Sequence, residues 1–98
     1  MNKIKLRSGI VLISVCDEHL LVATREARKF VPYIQQINNA AAYYWQLLEE
    51  GTEVKVIVDK AMEQFHIPKI KALITVNNFI NKLNETGYIT IEDVEDDK

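Results

Sequence analysis

The stretch Asn38-Asn39-Ala40-Ala41-Ala42-Tyr43-Tyr44-Trp45-Gln46-Leu47-Leu48 marks the point where the apolar pattern of the chain changes its period. From Ala41 to Leu48, apolar residues recur at helical spacing. Asn38 or Asn39 can cap this helix, and Gly51 can end it. Residues before the stretch follow strand patterns, whereas those after it follow helical ones. The change predicts a chain that begins with a sheet and continues with helices.

Upstream of this stretch, three segments are rich in β-branched and other apolar residues. They are residues 4–15, 19–24 and 30–37, and we predict a strand for each. Residues 16–19 can form a hairpin connection between the first two. Pro32 cannot donate a hydrogen bond to a ladder, so the third strand is expected at the edge of the sheet.

Downstream, two further segments repeat at helical spacing. One runs from a Thr52 cap through Phe65, and the other is opened by Pro68 and closed by Gly87. Residues 88–91 can add a short strand. The predicted fold class is α+β, with a three-stranded antiparallel sheet followed by a three-helix bundle.

Length and charge favour one domain with an acidic tail. The 98 residues are 48% hydrophobic, which suffices for a single core, and we assign residues 1–91 to it. The net charge is −2, but residues 92–98 hold five of the fourteen acids and one of the twelve bases. The remaining eleven bases and nine acids give the body a net charge of +2, and the tail is predicted to be disordered. Because no apolar run approaches the ~20 residues of a membrane span, we expect no membrane segment and a cytoplasmic protein.

Motifs for catalysis, metals and cofactors are missing from the sequence. Cys16 is the single cysteine, His19 and His66 lie far apart, and no HExxH or CxxC pattern occurs. The three glycines occur singly, so no phosphate-binding loop is formed. We therefore predict no catalytic residue, no metal site and no cofactor.

The third predicted helix carries apolar residues on more than one face. A first set points to one side and is expected to be core: Val76, Phe79, Ile80 and Leu83. A second set points elsewhere: Ile70, Leu73, Ile74 and Asn77. This second set either packs under the sheet or forms one wall of a groove.

The edge strand would supply the other wall of such a groove. Its candidate residues are Phe30, Val31, Tyr33, Ile34 and Gln35. An open strand edge beside an apolar helix face allows an extended peptide to add as a further strand. The basic residues Arg25, Arg28 and Lys29 precede this strand and form either a solvated loop or a rim that attracts acidic residues of the peptide.

Two motifs carry a resemblance to a known family. The run Ile37 to Leu48, followed by Gly51-Thr52, resembles the pattern Leu-Asn-x-x-(small)-x-x-Ile-Trp-x-Leu-Leu, then Gly-x-Thr, of the PqqD-like family. Phe79-Ile80, Leu83 and Gly87-Tyr88-Ile89 resemble its terminal Phe-Leu-x-x-Leu-x-x-x-Gly-Leu pattern. The resemblance covers roughly residues 30–91.

The resemblance implies a winged-helix-like domain that acts as a recognition element for ribosomally made, post-translationally modified peptides. In that family the leader peptide of a precursor binds as an extra strand along the third strand, against the third helix. The implied partners are a precursor leader peptide and a separate maturation enzyme, often a radical SAM enzyme. Trp45 is implied to be a buried anchor of the first helix.

Two other functions remain open from the residues alone. A winged helix can bind DNA, with Lys69, Lys71 and Lys82 near the phosphates, but the acidic tail and net negative charge oppose this interpretation. Alternatively, the open strand edges of two copies can pair and form a homodimer.

Overall fold

The computed structural model describes residues 2–93, which form two small antiparallel sheets and three helices. The α+β class, the three-stranded antiparallel sheet and the three helices predicted from the sequence are confirmed. In chain order the elements are β1 (Asn2–Leu6), β2 (Ile10–Val15), β3 (Glu18–Ala23), a 3₁₀ turn (Ala27–Lys29), β4 (Ile34–Ile37), α1 (Asn39–Glu49), α2 (Val54–Phe65), α3 (Lys69–Thr86) and β5 (Ile89–Asp93).

The three-stranded sheet has the order β2-β3-β4, which leaves β4 at one edge. β2 and β3 are joined by a two-residue turn at Cys16 and Asp17, both of which have positive φ, as the tightest hairpin turns require. The predicted connection at residues 16–19 is therefore shorter than expected, since β3 already begins at Glu18.

The prediction of one strand over residues 4–15 is wrong, because the chain turns between β1 and β2. Gly9 has φ of 89°, and its carbonyl accepts hydrogen bonds from both the backbone N–H and the hydroxyl of Thr24 at 2.8 Å. A Cβ at residue 9 would lie 2.7 Å from the Thr24 hydroxyl oxygen, so only glycine fits this close approach. The turn sends β1 away to pair with β5, over residues 2–6 and 89–93.

The predicted strand at residues 88–91 is confirmed as β5, which extends to Asp93. Residues 92 and 93 therefore belong to a strand rather than to the tail predicted at 92–98. The other residues of that tail, 94–98, lie outside the described part of the chain.

The prediction of a third strand over residues 30–37 is also wrong at its beginning. The backbone N–H groups of Phe30 and Val31 both donate to the carbonyl of Ala27, which closes a turn, and Pro32 follows directly. Hydrogen bonds used in this turn are not available for a ladder. β4 is consequently limited to Ile34–Ile37.

The helices begin and end at local signals. The Asn38 side chain accepts a hydrogen bond from the Ala41 N–H at 2.8 Å, which makes Asn38, rather than Asn39, the cap of α1. Thr52 does not cap α2, whose preceding residue is Glu53 and whose start has no side-chain cap. α3 begins after Pro68, as predicted, and ends at Gly87 in the left-handed conformation.

Gly87 also allows the loop before β4 to pack against the end of α3. A Cβ at residue 87 would lie 3.0 Å from the Cγ1 atom of Val31 and 3.4 Å from the Phe30 carbonyl oxygen. This close approach buries Val31, which is 7% exposed. The backbone is thereby fixed just upstream of β4.

The core lies between the three-stranded sheet and the helices. Trp45 of α1 is 1% exposed, as expected for a buried anchor, and Leu21 of β3 and Ile57 of α2 are fully buried. All four residues predicted for the core face of α3 are buried: Val76, Phe79, Ile80 and Leu83. Within residues 2–93, no helix combines the length and the hydrophobicity needed to cross a membrane.

Candidate functional site

The outer edge of β4 carries backbone groups without a partner strand among the described residues. β4 pairs antiparallel with β3 alone, and the Ala23 N–H donates to the Tyr33 carbonyl at 2.8 Å just before the strand begins. Backbone groups of an antiparallel strand point alternately toward and away from its partner. The N–H and C=O groups of Ile34 and Gln36 therefore point away from β3. These two residues form an open edge.

The open edge ends at Pro32. This residue shares the outward direction of Ile34 but has no N–H group, and its carbonyl accepts a hydrogen bond from the Tyr88 hydroxyl at 2.7 Å. Tyr88 is fully buried, and this burial raises the pKa of its phenol above the ordinary value of 10.0. The Tyr88 contact thus fixes the segment from which β4 emerges.

A groove runs between β4, the first turn of α1 and α3. Its volume is about 610 Å³, and it opens beside the edge of β4. Half-buried or buried apolar side chains form its floor: Ile37, Ala40, Ala41, Tyr44, Phe79 and Leu83. The floor can therefore accept an apolar side chain of a ligand.

The wall supplied by α3 is polar. Thr75, Asn78, Lys82 and Thr86 line it at helical spacing. The Thr75 hydroxyl donates to the Ala72 carbonyl at 3.2 Å and lies 3.3 Å from the Tyr44 hydroxyl. Of the residues that line the groove, Lys82 alone is charged, so the groove attracts negative charge.

The structure distributes the predicted edge-strand residues over different environments. Gln35 lines the groove, and Ile34 lies on the open edge with half of its side chain exposed. Phe30 and Tyr33 are exposed but precede β4. Val31 faces the core and is not accessible to a ligand.

The predicted helix wall is not the wall of this groove. Ile70 and Ile74 are 70% and 55% exposed, Leu73 is 38% exposed and Asn77 is exposed, yet none of the four lines the groove. At about 100° per residue, Ile70 and Asn77 point away from the groove wall, whereas Ile74 lies one turn before Asn78, next to that wall but not among the residues that line the groove. The sequence also left open that these four residues pack under the sheet. Their exposure excludes this interpretation.

The predicted basic rim lies at the end of the sheet where β4 begins. The Arg28 guanidinium lies 3.9 Å from the centre of the Tyr33 ring, and its Nε donates to the Ala23 carbonyl at 3.3 Å. Arg25 and Lys29 are exposed on the same connection. Arg28 is therefore held in place, with part of its charge still accessible.

Several groove residues were not identified from the sequence. Asn78, Lys82 and Thr86 are polar residues on the border of the apolar stripe of α3, and Ala41 is a small residue on α1. The spacing of four residues between Asn78, Lys82 and Thr86 was visible in the sequence. Many solvated helix faces show the same pattern, so the spacing alone does not indicate a groove. The position of β4 beside these residues does.

Residues 2–93 contain no group of three or more potential metal ligands. His19 bridges two polar residues: its Nδ1 lies 2.7 Å from the Ser14 hydroxyl, and its Nε2 lies 2.6 Å from the Asn39 Oδ1. This chain of hydrogen bonds joins β2, β3 and the start of α1. We assign it a structural role beside the groove.

The fold and the groove define a small α+β, winged-helix-like domain with an open strand edge beside a helix. The family model for coenzyme PQQ synthesis protein D (PqqD) matches residues 18–89, which include β3, β4 and all three helices. The chain belongs to the PqqD family.

Two solved structures are similar to this chain. TbiB1 in complex with the TbiA(beta) leader peptide superimposes with a TM-score of 0.72 at 20% identity, covering 94% of this chain and 99% of that one. Lasso peptide synthetase B1 complexed with the leader peptide gives a TM-score of 0.73 at 18% identity, covering 89% and 96%. At these identities the similarity shows a shared fold. No curated protein matches the chain.

Proposed function

We propose that this chain is a non-catalytic adaptor, which binds the leader of a ribosomally made precursor peptide and presents the precursor to a separate modifying enzyme. The observation that carries the proposal is the open edge of β4 beside the groove. Membership of the PqqD family supports it, as does the likeness to two folds that were solved with leader peptides. The resemblance points to a radical SAM enzyme as the modifying partner.

The leader adds to the three-stranded sheet as a fourth strand beside β4. Ile34 and Gln36 each offer one outward N–H and one outward C=O, so up to four backbone hydrogen bonds can form. The Gln36 carbonyl now accepts a long, exposed bond from the Gln35 side-chain amide at 3.3 Å, which a peptide N–H can replace. Pairing ends at Pro32, which sets the register.

Selectivity comes from side chains that point into the groove. Alternate residues of an added strand face the same side, so every second leader side chain meets the apolar floor formed by Ile37, Tyr44 and Phe79. Lys82 then favours an acidic residue nearby. The preferred leader segment therefore combines an apolar side chain with an acidic one.

Residues at the beginning of β4 contact the far end of the leader. Phe30 and Tyr33 offer exposed aromatic surface there, and Arg28 is held over Tyr33. Together with Arg25 and Lys29, Arg28 forms a basic rim that attracts acidic residues of the leader and raises the association rate. Asn78 and Lys82 replace the outward face of α3 as the helical wall.

Backbone N-methylation of the ligand tests the added strand without changing the protein. The probe is a synthetic, fluorescently labelled leader peptide that binds the natural chain. N-methyl groups are placed at successive residues, and binding is measured by fluorescence anisotropy. Because the amides of a strand point alternately toward and away from β4, N-methylation should weaken binding at every second residue.

The pattern of losses decides between modes of binding. Losses of affinity at every second N-methylated residue of the paired segment support strand addition. Equal losses at neighbouring residues, or no loss at any residue, contradict it. A control peptide of the same composition in scrambled order should not bind.

A further inference from the structure

A second depression lies between β1, β5 and the connection that precedes β4. Its volume is about 360 Å³, and we call it the Arg7 pocket. Lys5 of β1 and Arg7 line one part of it, Glu26 and Phe30 of the connection line another, and Thr90 belongs to β5. Within residues 2–93, it shares no lining residue with the groove beside β4. The chain therefore has two distinct cavities.

The Arg7 pocket lies on the same side of the β4 segment as the open edge. The Pro32 carbonyl, which shares the outward direction of Ile34, accepts a hydrogen bond from the Tyr88 hydroxyl at 2.7 Å. The backbone carbonyl of Tyr88 in turn accepts a hydrogen bond from the Arg7 N–H at 3.0 Å. The outward direction past the end of the open edge thus leads to Tyr88 and then to Arg7.

The groove and the Arg7 pocket adjoin at the C-terminal end of α3. Thr86 lines the groove, and the carbonyl of the next residue, Gly87, accepts a hydrogen bond from Arg7 Nε at 2.6 Å. Along the β4 segment, Phe30 of the pocket and Gln35 of the groove are five residues apart, which corresponds to at most about 18 Å. An extended peptide of about six residues spans this distance.

The Arg7 guanidinium is held in a fixed position. Its Nε donates to the Gly87 carbonyl, and its central carbon lies 4.9 Å from the centre of the Phe30 ring. These contacts leave the N–H groups of its Nη atoms for a ligand. Parallel N–H groups of a guanidinium match the two oxygens of a carboxylate. Because Arg7 is already held, it loses little conformational freedom when it binds one.

The charge of the pocket also favours a carboxylate. Lys5 is exposed and adds a second cation to Arg7, and Glu26 alone is acidic among the described residues that line the pocket. Two cations and one acid give a net charge of +1. The hydroxyls of Ser8 and Thr90, both on exposed residues, can donate further hydrogen bonds to an anion.

Apolar surface lies beside these cations. Phe30 is 64% exposed, and the half-buried Leu6 lines the pocket as well. Such surface can contact the methylene groups of an acidic side chain or an apolar neighbour of that residue. The pocket therefore suits an acidic residue of a peptide better than a free inorganic anion.

We propose that the Arg7 pocket is a second subsite for the leader, which binds the carboxylate of an acidic residue about four to six positions beyond the leader residue opposite Ile34. This inference rests on the proposed function, since it concerns the part of the leader that continues past Pro32. The paired segment supplies backbone hydrogen bonds, and the acidic residue adds a contact that depends on its side chain. Two separated contacts on one peptide bind more tightly than either alone.

The subsite differs from the basic rim formed by Arg25, Arg28 and Lys29. None of these three residues lines the Arg7 pocket, and Arg28 lies over Tyr33 instead. The rim attracts acidic residues in general and raises the association rate. The pocket fixes one carboxylate at one position of the leader.

Fluorescence anisotropy with a labelled leader peptide that binds the natural chain tests the subsite. Lys5→Glu reverses a charge in the pocket and should weaken binding by about fivefold. Lys60→Glu makes the same change at an exposed residue of α2 that lines neither cavity, and it should leave the affinity unchanged. Glu26→Gln removes the acid of the pocket and should strengthen binding by about twofold, which a loss of structure would not do.

A scan of the peptide identifies the leader residue. Each Asp or Glu of the leader is replaced in turn by Asn or Gln. One replacement should weaken binding to the natural chain but not to Lys5→Glu, because two groups that interact give non-additive losses. Circular dichroism checks that every variant of the chain folds.

Three results overturn the subsite: unchanged binding by Lys5→Glu, an equal loss in Lys60→Glu, or a scan in which every replacement has the same effect on the natural chain and on Lys5→Glu. In each of these cases, losses at every second N-methylated residue would still support strand addition beside β4. The proposed function then stands without the subsite. Failure of the natural chain to bind any leader peptide contradicts both.

Discussion

The two exposed flanks of helix α3 differ in chemistry and in their surroundings. The outward flank carries Ile70 and Ile74, which are aliphatic, largely exposed and not among the residues that line the groove. The groove flank carries Asn78 and Lys82, which are polar, and it lies beside the apolar floor and the open edge of β4. A surface suits a peptide when backbone partners and a concave floor are adjacent to it. The exposure of apolar side chains alone is a weaker criterion for a peptide-binding surface.

We expect the largest effect from a substitution in the core of the domain. Trp45 of α1 is 1% exposed and belongs to the core under the groove. Trp45→Ala should lower the free energy of unfolding by about 3–5 kcal/mol through the lost burial and the cavity left behind. Chemical denaturation monitored by circular dichroism measures this change.

Trp45→Phe is the matched control. The indole Nε1 of Trp45 is buried without a hydrogen-bond partner, so phenylalanine removes an unsatisfied donor along with part of the volume. We expect a much smaller loss than for alanine. Equal losses in the two variants would show that burial of the ring is not the dominant contribution.

A negative charge in the groove should weaken leader binding without lowering the stability of the fold. Ala41 lines the floor, and its N–H donates to the Asn38 side chain, which places it at the third position of α1. An acidic residue there is favourable to the helix start. Ala41→Glu should therefore keep the fold while weakening leader binding at least tenfold, or about 1.4 kcal/mol, as measured by calorimetry.

Gln46→Glu adds the same charge on the exposed side of the same helix and serves as its control. Leader binding by this variant should match that of the natural chain. If Ala41→Glu also binds normally, the leader does not enter the floor of the groove.

Removal of the Tyr88 hydroxyl, which holds the segment before β4, should have a smaller effect that depends on pH. Tyr88→Phe removes the bond to the Pro32 carbonyl and should lower the free energy of unfolding by about 1 kcal/mol at neutral pH. Burial raises the pKa of Tyr88 above 10.0 in the folded chain, so this contribution is complete below pH 10 and is lost as the pH rises through the folded pKa.

Denaturation at several pH values compares the two chains. The stability difference between the natural chain and Tyr88→Phe should shrink as the pH rises above 10, the ordinary pKa of tyrosine. A difference that grows with pH would mean that the ionised phenol is favoured in the folded chain.

The sequence predicted the helices better than the strands. Asn38, Pro68 and Gly87 are local signals for helix ends, and each lies at a helix end in the structure. The turn at Gly9 depends on a close approach to Thr24, which is distant in sequence, so residues 4–15 looked like one strand. Pairing of β1 with β5 joins the two ends of the described chain and has no local signal.

The groove lies beside a different face of α3 from the one predicted as a wall, and which residues bind a peptide stays a prediction. Pro32 correctly indicated an edge strand, and Ile34 and Gln35 lie on it. The helical wall was predicted at Ile70, Leu73, Ile74 and Asn77 because these residues lie off the apolar helix face that was expected to be core. The position of β4 relative to α3 determines which flank faces the groove, and that position follows from tertiary packing at Gly87 and Val31.

The variant with the smallest expected effect, Ile74→Glu, tests this difference between the two flanks of α3 directly. Ile74→Glu changes an exposed residue outside the groove and should alter both stability and leader binding by less than about 0.5 kcal/mol, roughly twofold in affinity. Lys82→Glu reverses a charge on the groove flank of the same helix and should weaken binding to an acidic leader by about fivefold, or about 1 kcal/mol. Calorimetry with one leader peptide measures both. If Ile74→Glu loses binding and Lys82→Glu does not, the leader lies on the outward flank, and the open edge of β4 has no part in its recognition.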